Sequence, residues 1–149
     1  MSFDIGFTDC LESDTSSNTT FRQGRIRIGH FSESFVSALT FWTDSQYLEH
    51  WHDAVRRVTY TGQDSCLITS IADPLRSEML FWWPMYREGD QVIIQNGLLF
   101  FSELERSFDP TNPFETVPER VMLNEDGQRV LEWVVTVQDL EDFLDGGGT

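Results

Sequence analysis

Apolar residues follow two different periods along this chain. Arg25-Ile26-Arg27-Ile28 alternates charged and apolar positions, the period of a half-buried strand. Ser32-Glu33-Ser34 reads as a turn, and Phe35 to Trp42 as the returning strand. The pattern then becomes helical over about 43–58. Tyr47, Leu48, Trp51, Ala54, Val55 and Val58 fall on one stripe at about 100° per residue. Thr43 and Gln46 fit a capping box, in which hydroxyl and amide each satisfy an orphaned N–H. Asp53 and Arg57 are spaced as an i,i+4 ion pair. Gly62 turns the helix out.

Strand patterns resume at Cys66 to Ile71, followed by an Asp73-Pro74 turn. Met79 to Arg87 is apolar on both faces, as in a central strand. Pro84 lacks a donor, so it predicts an edge, bulge or end there. Glu88-Gly89-Asp90 turns the chain into Val92 to Gln95, and Asn96-Gly97 predicts a type I′ hairpin returning through Leu98 to Phe101. This gives a three-strand meander over residues 79–103. Residues 105–118 hold Pro110, Pro113 and Pro118 and read as a long irregular connection, a kind of segment that often carries function. Val121 to Leu123 reads as a short strand, Asn124 to Gly127 as a turn, and Val130 to Val135 as a strand. Thr136 caps a last helix over about 136–145, with Asp139 in the first turn, where the helix dipole favours an anion. Residues 1–23 are rich in Asp, Ser and Thr and read as a loop-rich arm with a short strand around Phe3 to Phe7. Residues 146–149 read as a flexible tail. The sum is one α+β domain over residues 1–149: an antiparallel sheet of five to seven strands, one long helix and a short C-terminal helix.

Composition narrows what such a domain does. At 149 residues the chain suits one domain with a real core. It carries 25 acidic residues against 10 basic ones, a formal charge of −15, and every basic residue is Arg. The acidic excess is greatest after residue 100. Such a surface repels phosphate backbones and anionic lipid and attracts basic partners. Direct nucleic-acid or membrane binding is therefore not expected. Without Lys there is no Schiff-base chemistry and no phosphate-loop lysine. The N-terminus shows no secretory pattern, and Met79 to Met85, the longest dense apolar run, is far too short to span a membrane. Cys10 and Cys66 read as two free thiols in a reducing cytoplasm.

Catalytic and metal signatures are weak. There is no G-x-S-x-G and no H-E-x-x-H. His50 and His52 sit two apart on a helix, about 200° around it, so they flank opposite sides of the apolar stripe and do not share a metal. No cofactor and no metal are expected. A pairing of His30 with Cys10, Cys66 or a serine stays open from sequence alone. Phe81-Trp82-Trp83-Pro84-Met85-Tyr86 has an aromatic residue on each face. One face packs on the domain. The other is either covered or a contact surface, for which Trp and Tyr are favoured anchors.

Three segments carry a family resemblance: WWPMYREGD at 82–90, SFDPTNPFETVPER at 107–120, and EDGQRVLEWVVTVQDLEDFL at 125–144. Together with the Trp-containing first helix, they make residues 24–145 resemble the immunity proteins of bacterial contact-dependent growth inhibition. The resemblance implies a small cytoplasmic binding protein of a Gram-negative bacterium, not an enzyme. It would neutralise the C-terminal toxin domain of a matched effector. Many such toxins are nucleases with basic surfaces. The resemblance carries over no specific contact residue. The candidate toxin-binding residues are therefore chosen on charge and aromaticity: Glu103, Glu105, Asp139, Glu141 and Asp142 for charge pairing, with Trp83 and Tyr86 as anchors. Two alternatives remain at this level: an acidic nucleic-acid mimic or adaptor for another basic protein, and a small enzyme built on His30, Cys66 and scattered carboxylates.

Overall fold

The structure, a computed structural model, describes residues 2–14 and 19–146, the side chains of residues 9–14 and 19 excepted. Alternation at Phe3 and Ile5 and at Ile26 and Ile28 builds the first sheet. Strand β1 (Phe3–Asp14) pairs antiparallel with β2 (Thr19–Ile28), Phe3 opposite Ile28 and Ile5 opposite Ile26, and all four side chains are buried. Strand β3 (Phe31–Ala38) completes this three-stranded sheet. The turn between β2 and β3 is Gly29-His30, with Gly29 at φ 62°. That positive φ suits a two-residue hairpin loop, so Ser32-Glu33-Ser34 lies inside β3 and is not the turn the polar composition predicts. The loop-rich arm expected over 1–23 is largely strand, since β1 and β2 satisfy each other's backbone groups. Of the SDTSSNTT run, residues 15–18 lie outside the described residues, as does the tail expected at 146–149 apart from Gly146.

The second sheet also is antiparallel. Its strands are β4 (Ser65–Ser70), β5 (Met79–Glu88), β6 (Gln91–Gln95), β7 (Gly97–Phe100) and β8 (Glu132–Thr136), in the order β4-β5-β6-β8, with β7 on β5. The strands thus divide between two sheets. Met85 pairs with Ile94, and Phe81 pairs with Leu98 in the same register, so β6 and β7 run along one side of β5 in one direction. Asn96-Gly97 is consequently a break in a nearly continuous strand, not the hairpin its sequence predicts. The break falls opposite Trp83-Pro84, because Pro84 has no N–H to give the ladder. Pro84 is interior to the sheet, with Cys66 of β4 opposite it on the other side.

Helix α1 (Asp44–Arg56) starts at the predicted capping box: Gln46 N–H donates to Thr43 Oγ1, and Thr43 N–H donates to Gln46 Oε1. A π-helical turn (Arg57–Thr61) extends it to Gly62, at φ 70°. The guanidinium of Arg87 donates to the carbonyls of Val58 and Thr59 at 2.8 and 2.9 Å and to Gly89 at 2.6 Å. It thereby supplies donors that the helix end lacks. Asp53 pairs with Arg56 at 2.9 Å, not with Arg57, whose Nε donates to the Asp64 carbonyl and whose guanidinium lies over Phe114.

Helix α1 seals the outer edge of β4. His50 Nε2 accepts the Ile68 N–H at 2.8 Å, and Trp51 Nε1 donates to the Ile68 carbonyl at 2.7 Å. Tyr47 Oη accepts the Ile71 N–H at 3.0 Å and donates to the Ala38 carbonyl at 2.7 Å. Trp51 also meets Phe7 and Phe35 of the first sheet, so one indole ties both sheets to the helix. Helix α2 (Val137–Leu144) closes the far end, with Phe143 edge-on to Phe3 at 5.3 Å and stacked on His52 at 5.1 Å.

Burial holds His50 neutral, with its pKa pushed down to about 3. Below the ordinary His value of about 6.5 the unfolded chain takes up a proton that the folded chain refuses until about pH 3. Stability should therefore fall as pH drops through that window, by on the order of 3–5 kcal/mol from this group. His50→Gln should lose stability at pH 7 and show a shallower decline below pH 6.5, as read by urea midpoints at stepped pH.

Candidate functional site

The connection after β7 shapes the acidic surface. Phe101–Glu103 forms a 3-10 turn, and the rings of Phe101 and Phe108 pack together at 5.2 Å beneath it. Burial of Phe108 pulls the irregular chain back onto the domain and leaves the charged residues between outside. A second 3-10 turn (Pro113–Thr116), with Pro113 at its start, brings Glu115 across. The result is a cleft of about 460 Å³ in which Glu103 and Glu105 share walls with Glu115, Leu104, Val117 and a single base, Arg106. Two predicted residues thus come together, and Glu115, missed in the sequence, joins them. Its signal was its place in the proline-rich segment, which no periodicity orients.

The other predicted residues separate. Asp139 is buried, and its carboxylate accepts the Thr136 N–H at 2.9 Å while Thr136 Oγ1 accepts the Asp139 N–H at 3.0 Å. It caps α2 and is not a free contact residue. Glu141 and Asp142 lie on α2, where Asp142 accepts from Gln138 at 3.0 Å. Trp83 and Tyr86 are only 2% and 4% exposed. Trp83 lies against Phe31 and Trp133, and burial raises the Tyr86 phenol to about 12. Neither ring is presented to a partner. The outward apolar positions of this sheet are instead Met79, Phe81, Leu98 and Phe100 on β5 and β7, and Val134 on β8.

A second cleft of about 450 Å³ lies between α1 and residues 110–114, walled by Trp42, His50 and Phe114, with Glu49 and Asp53 on its lining. His50 already accepts a backbone N–H, and His52 Nδ1 lies 2.9 Å from the Leu48 carbonyl, so neither imidazole faces the other. Among the described residues no group of three or more His, Cys, Asp or Glu side chains is placed to hold a metal ion. Cys66 is a buried free thiol whose pKa burial pushes well up, which favours the unreactive neutral form, and His30 is exposed at the β2–β3 turn. The Cys10 side chain lies outside the described residues. No helix among them is long and apolar enough to cross a membrane.

Residues 37–143 match the family model described as the CdiI N-terminal domain. The chain belongs to the CdiI immunity-protein family. It is 25% identical to the immunity protein CdiI of Enterobacter cloacae subsp. cloacae over 118 residues, 79% of this chain and 81% of that protein. It also shares the fold of a chain in the solved toxin and immunity complex CdiA-CT/CdiI from Enterobacter cloacae. That likeness has a TM-score of 0.85 and 23% identity and covers 97% of each chain. The fold likeness therefore extends over most of the first 36 residues, ahead of the family match.

In this chain the proline-rich connection is fastened at its end by Arg120. Its Nε and Nη2 make a two-pronged pair with Glu132 of β8, both at 2.7 Å, and Nη1 reaches Glu88 at 3.1 Å. Gln95 Nε2 adds a 2.8 Å hydrogen bond to Glu132 and reaches the Val121 carbonyl. The Arg120 guanidinium beside Glu132 holds that carboxyl below its usual range. Two-pronged Arg–carboxylate pairs fix geometry as well as charge. Arg120→Ala should release the connection, so tryptic cleavage after Arg106 should run severalfold faster in limited proteolysis while the sheet core stays protected.

Proposed function

We propose that this chain binds and neutralises the C-terminal toxin domain of its matched contact-dependent growth inhibition effector, and does so in the cytoplasm of the producing bacterium. The match of residues 37–143 to the CdiI family carries this reading, and the named complex of the similar fold is of the same kind. The mode of action is stoichiometric binding, without catalysis by this chain. The toxin is a basic nuclease on this reading. A formal charge of −15 favours rapid encounter with a domain whose substrate is a polyanion, because complementary charge steers association. Glu103 and Glu105, with Glu115 beside them, form the acidic cleft suited to basic side chains. Glu141 and Asp142 supply a separate acidic patch on α2.

Co-expression with the toxin domain encoded immediately upstream tests the function. Cells should grow at equal expression of the two, and the proteins should co-purify one to one; continued killing would sink the reading. The electrostatic part is tested separately. Glu103→Lys with Glu105→Lys should slow association by roughly tenfold at low salt and flatten its salt dependence. An unchanged rate in stopped-flow mixing would remove this cleft from the encounter surface.

A further inference from the structure

The tip of β3 covers only half of one sheet face. Phe31 stacks on Trp133 at 4.3 Å and leans on Trp83 at 6.3 Å, so the half of the face around these rings is closed. The other half carries the cross-strand pairs Met79–Phe100 and Phe81–Leu98. These four side chains share a face, since directly opposed residues in a sheet point the same way. They remain 38%, 38%, 51% and 43% exposed, respectively. Phe81 continues into a groove of about 420 Å³ that runs between the sheets, floored by Trp83, walled by Val36 and rimmed by Glu33 and Asn96. A run of large apolar side chains on one sheet face, joined to a groove, marks a contact surface more than a chance exposure.

The strand edge beside it also is open. Phe101 N–H donates to the Glu78 carbonyl, which fixes the ladder's phase. Leu98 and Phe100 therefore turn their N–H and C=O groups away from β5. Strand β8 begins opposite Gln95 and does not reach them. Among the described residues no hydrogen bond occupies those outward groups. A short edge with apolar neighbours is a liability that folded proteins ordinarily cover.

We propose that this open half-face, together with the free edge of β7, is the surface on which the toxin domain seats; the proposal rests on the toxin-neutralising function argued above. The occupant follows from charge. Two copies of a chain at −15 repel when pressed together, whereas a basic domain is drawn in. The chain leads from Phe100 through the Phe101–Glu103 turn into the acidic cleft of Glu103 and Glu105, and Glu33 lies on the rim of the groove. An apolar centre flanked by charge is the anatomy of a specific interface.

Phe81→Arg and Leu98→Arg, each at a half-exposed position, test the surface against Tyr60→Arg, an exposed site beyond α1. With the purified upstream toxin domain, the first two should weaken binding roughly a hundredfold and abolish protection, at unchanged melting temperature. Tyr60→Arg should bind as the unaltered protein does. Independently of any variant, the Leu98 and Phe100 amides should exchange quickly in the free protein and slow in the complex. If the unaltered protein binds the toxin while both variants match it and those amides stay fast, this surface is wrong and the function stands. If the unaltered protein does not bind, the function fails and the surface with it. Sedimentation showing that the patch holds two copies together, with toxin binding intact in the variants, also overturns the proposal.

Discussion

Two hydrogen bonds to one residue organise this molecule. The N–H and C=O of Ile68 point out of the edge of β4, where another strand would ordinarily take them. An imidazole and an indole from α1 take them instead. Backbone groups at such an edge are costly to bury unpaired, so the helix cannot shift along β4 without orphaning both. With α1 fixed there, Trp51 stands between the two sheets and meets Phe7 and Phe35 from the other side. Tyr47 extends the same arrangement to Ile71 and Ala38. The side chains of this helix turn thus fix the sheets together with the direct contacts of β3, where Ser37 Oγ donates to the Thr69 carbonyl and Phe31 packs on Trp83 and Trp133, and His50 has to remain neutral for the helix's part to hold.

The helices were legible because their signals are local. The capping box at Thr43 and the cap at Thr136 each lie within four residues, and both formed; at Thr136 the Asp139 side chain, expected there for its charge, also closes a box. Where tertiary pairing decides, local signals misled. Asn96-Gly97 carries a strong hairpin pattern, yet both flanking segments find their partner in β5, and the missing donor of Pro84 turns the dipeptide into a break. The Asp-, Ser- and Thr-rich beginning looked like a loop because strand potential in a paired hairpin comes from backbone groups that composition does not report. Alternation put an aromatic residue on each face of β5, but whether the Trp83 face is covered depends on Phe31, more than fifty positions away. Less of the candidate site was legible. Charge alone picked out Glu103 and Glu105; that they share a cleft with Glu115 depends on the folded path of the prolines, and Asp139 is committed to its helix cap.

The arginines explain why so negative a chain presents its charge outward. Arg22 lies over the Phe7 ring and pairs with Asp44 at 2.9 Å. Arg87 serves three carbonyls, Arg57 a carbonyl and a ring, and Arg120 two carboxylates. Each uses the flat, many-donor guanidinium in a way an ammonium does not reproduce, which suits a chain that contains no Lys. These cations are held by structural partners, and with 25 acids against 10 arginines the net field outside the molecule stays negative.

The break opposite Pro84 has a dynamic consequence. Strand β6 is held on both sides, by β5 and β8, and shares their burial. Strand β7 has four residues and a ladder on one side only. Regions with few ladder partners open locally at a smaller free-energy cost than the whole fold. The interruption lets β7 lift or tilt without dragging the β6–β8 pairing with it. A rigid core therefore carries a margin able to adjust its shape, and adjustment there does not require the rest of the sheet to yield.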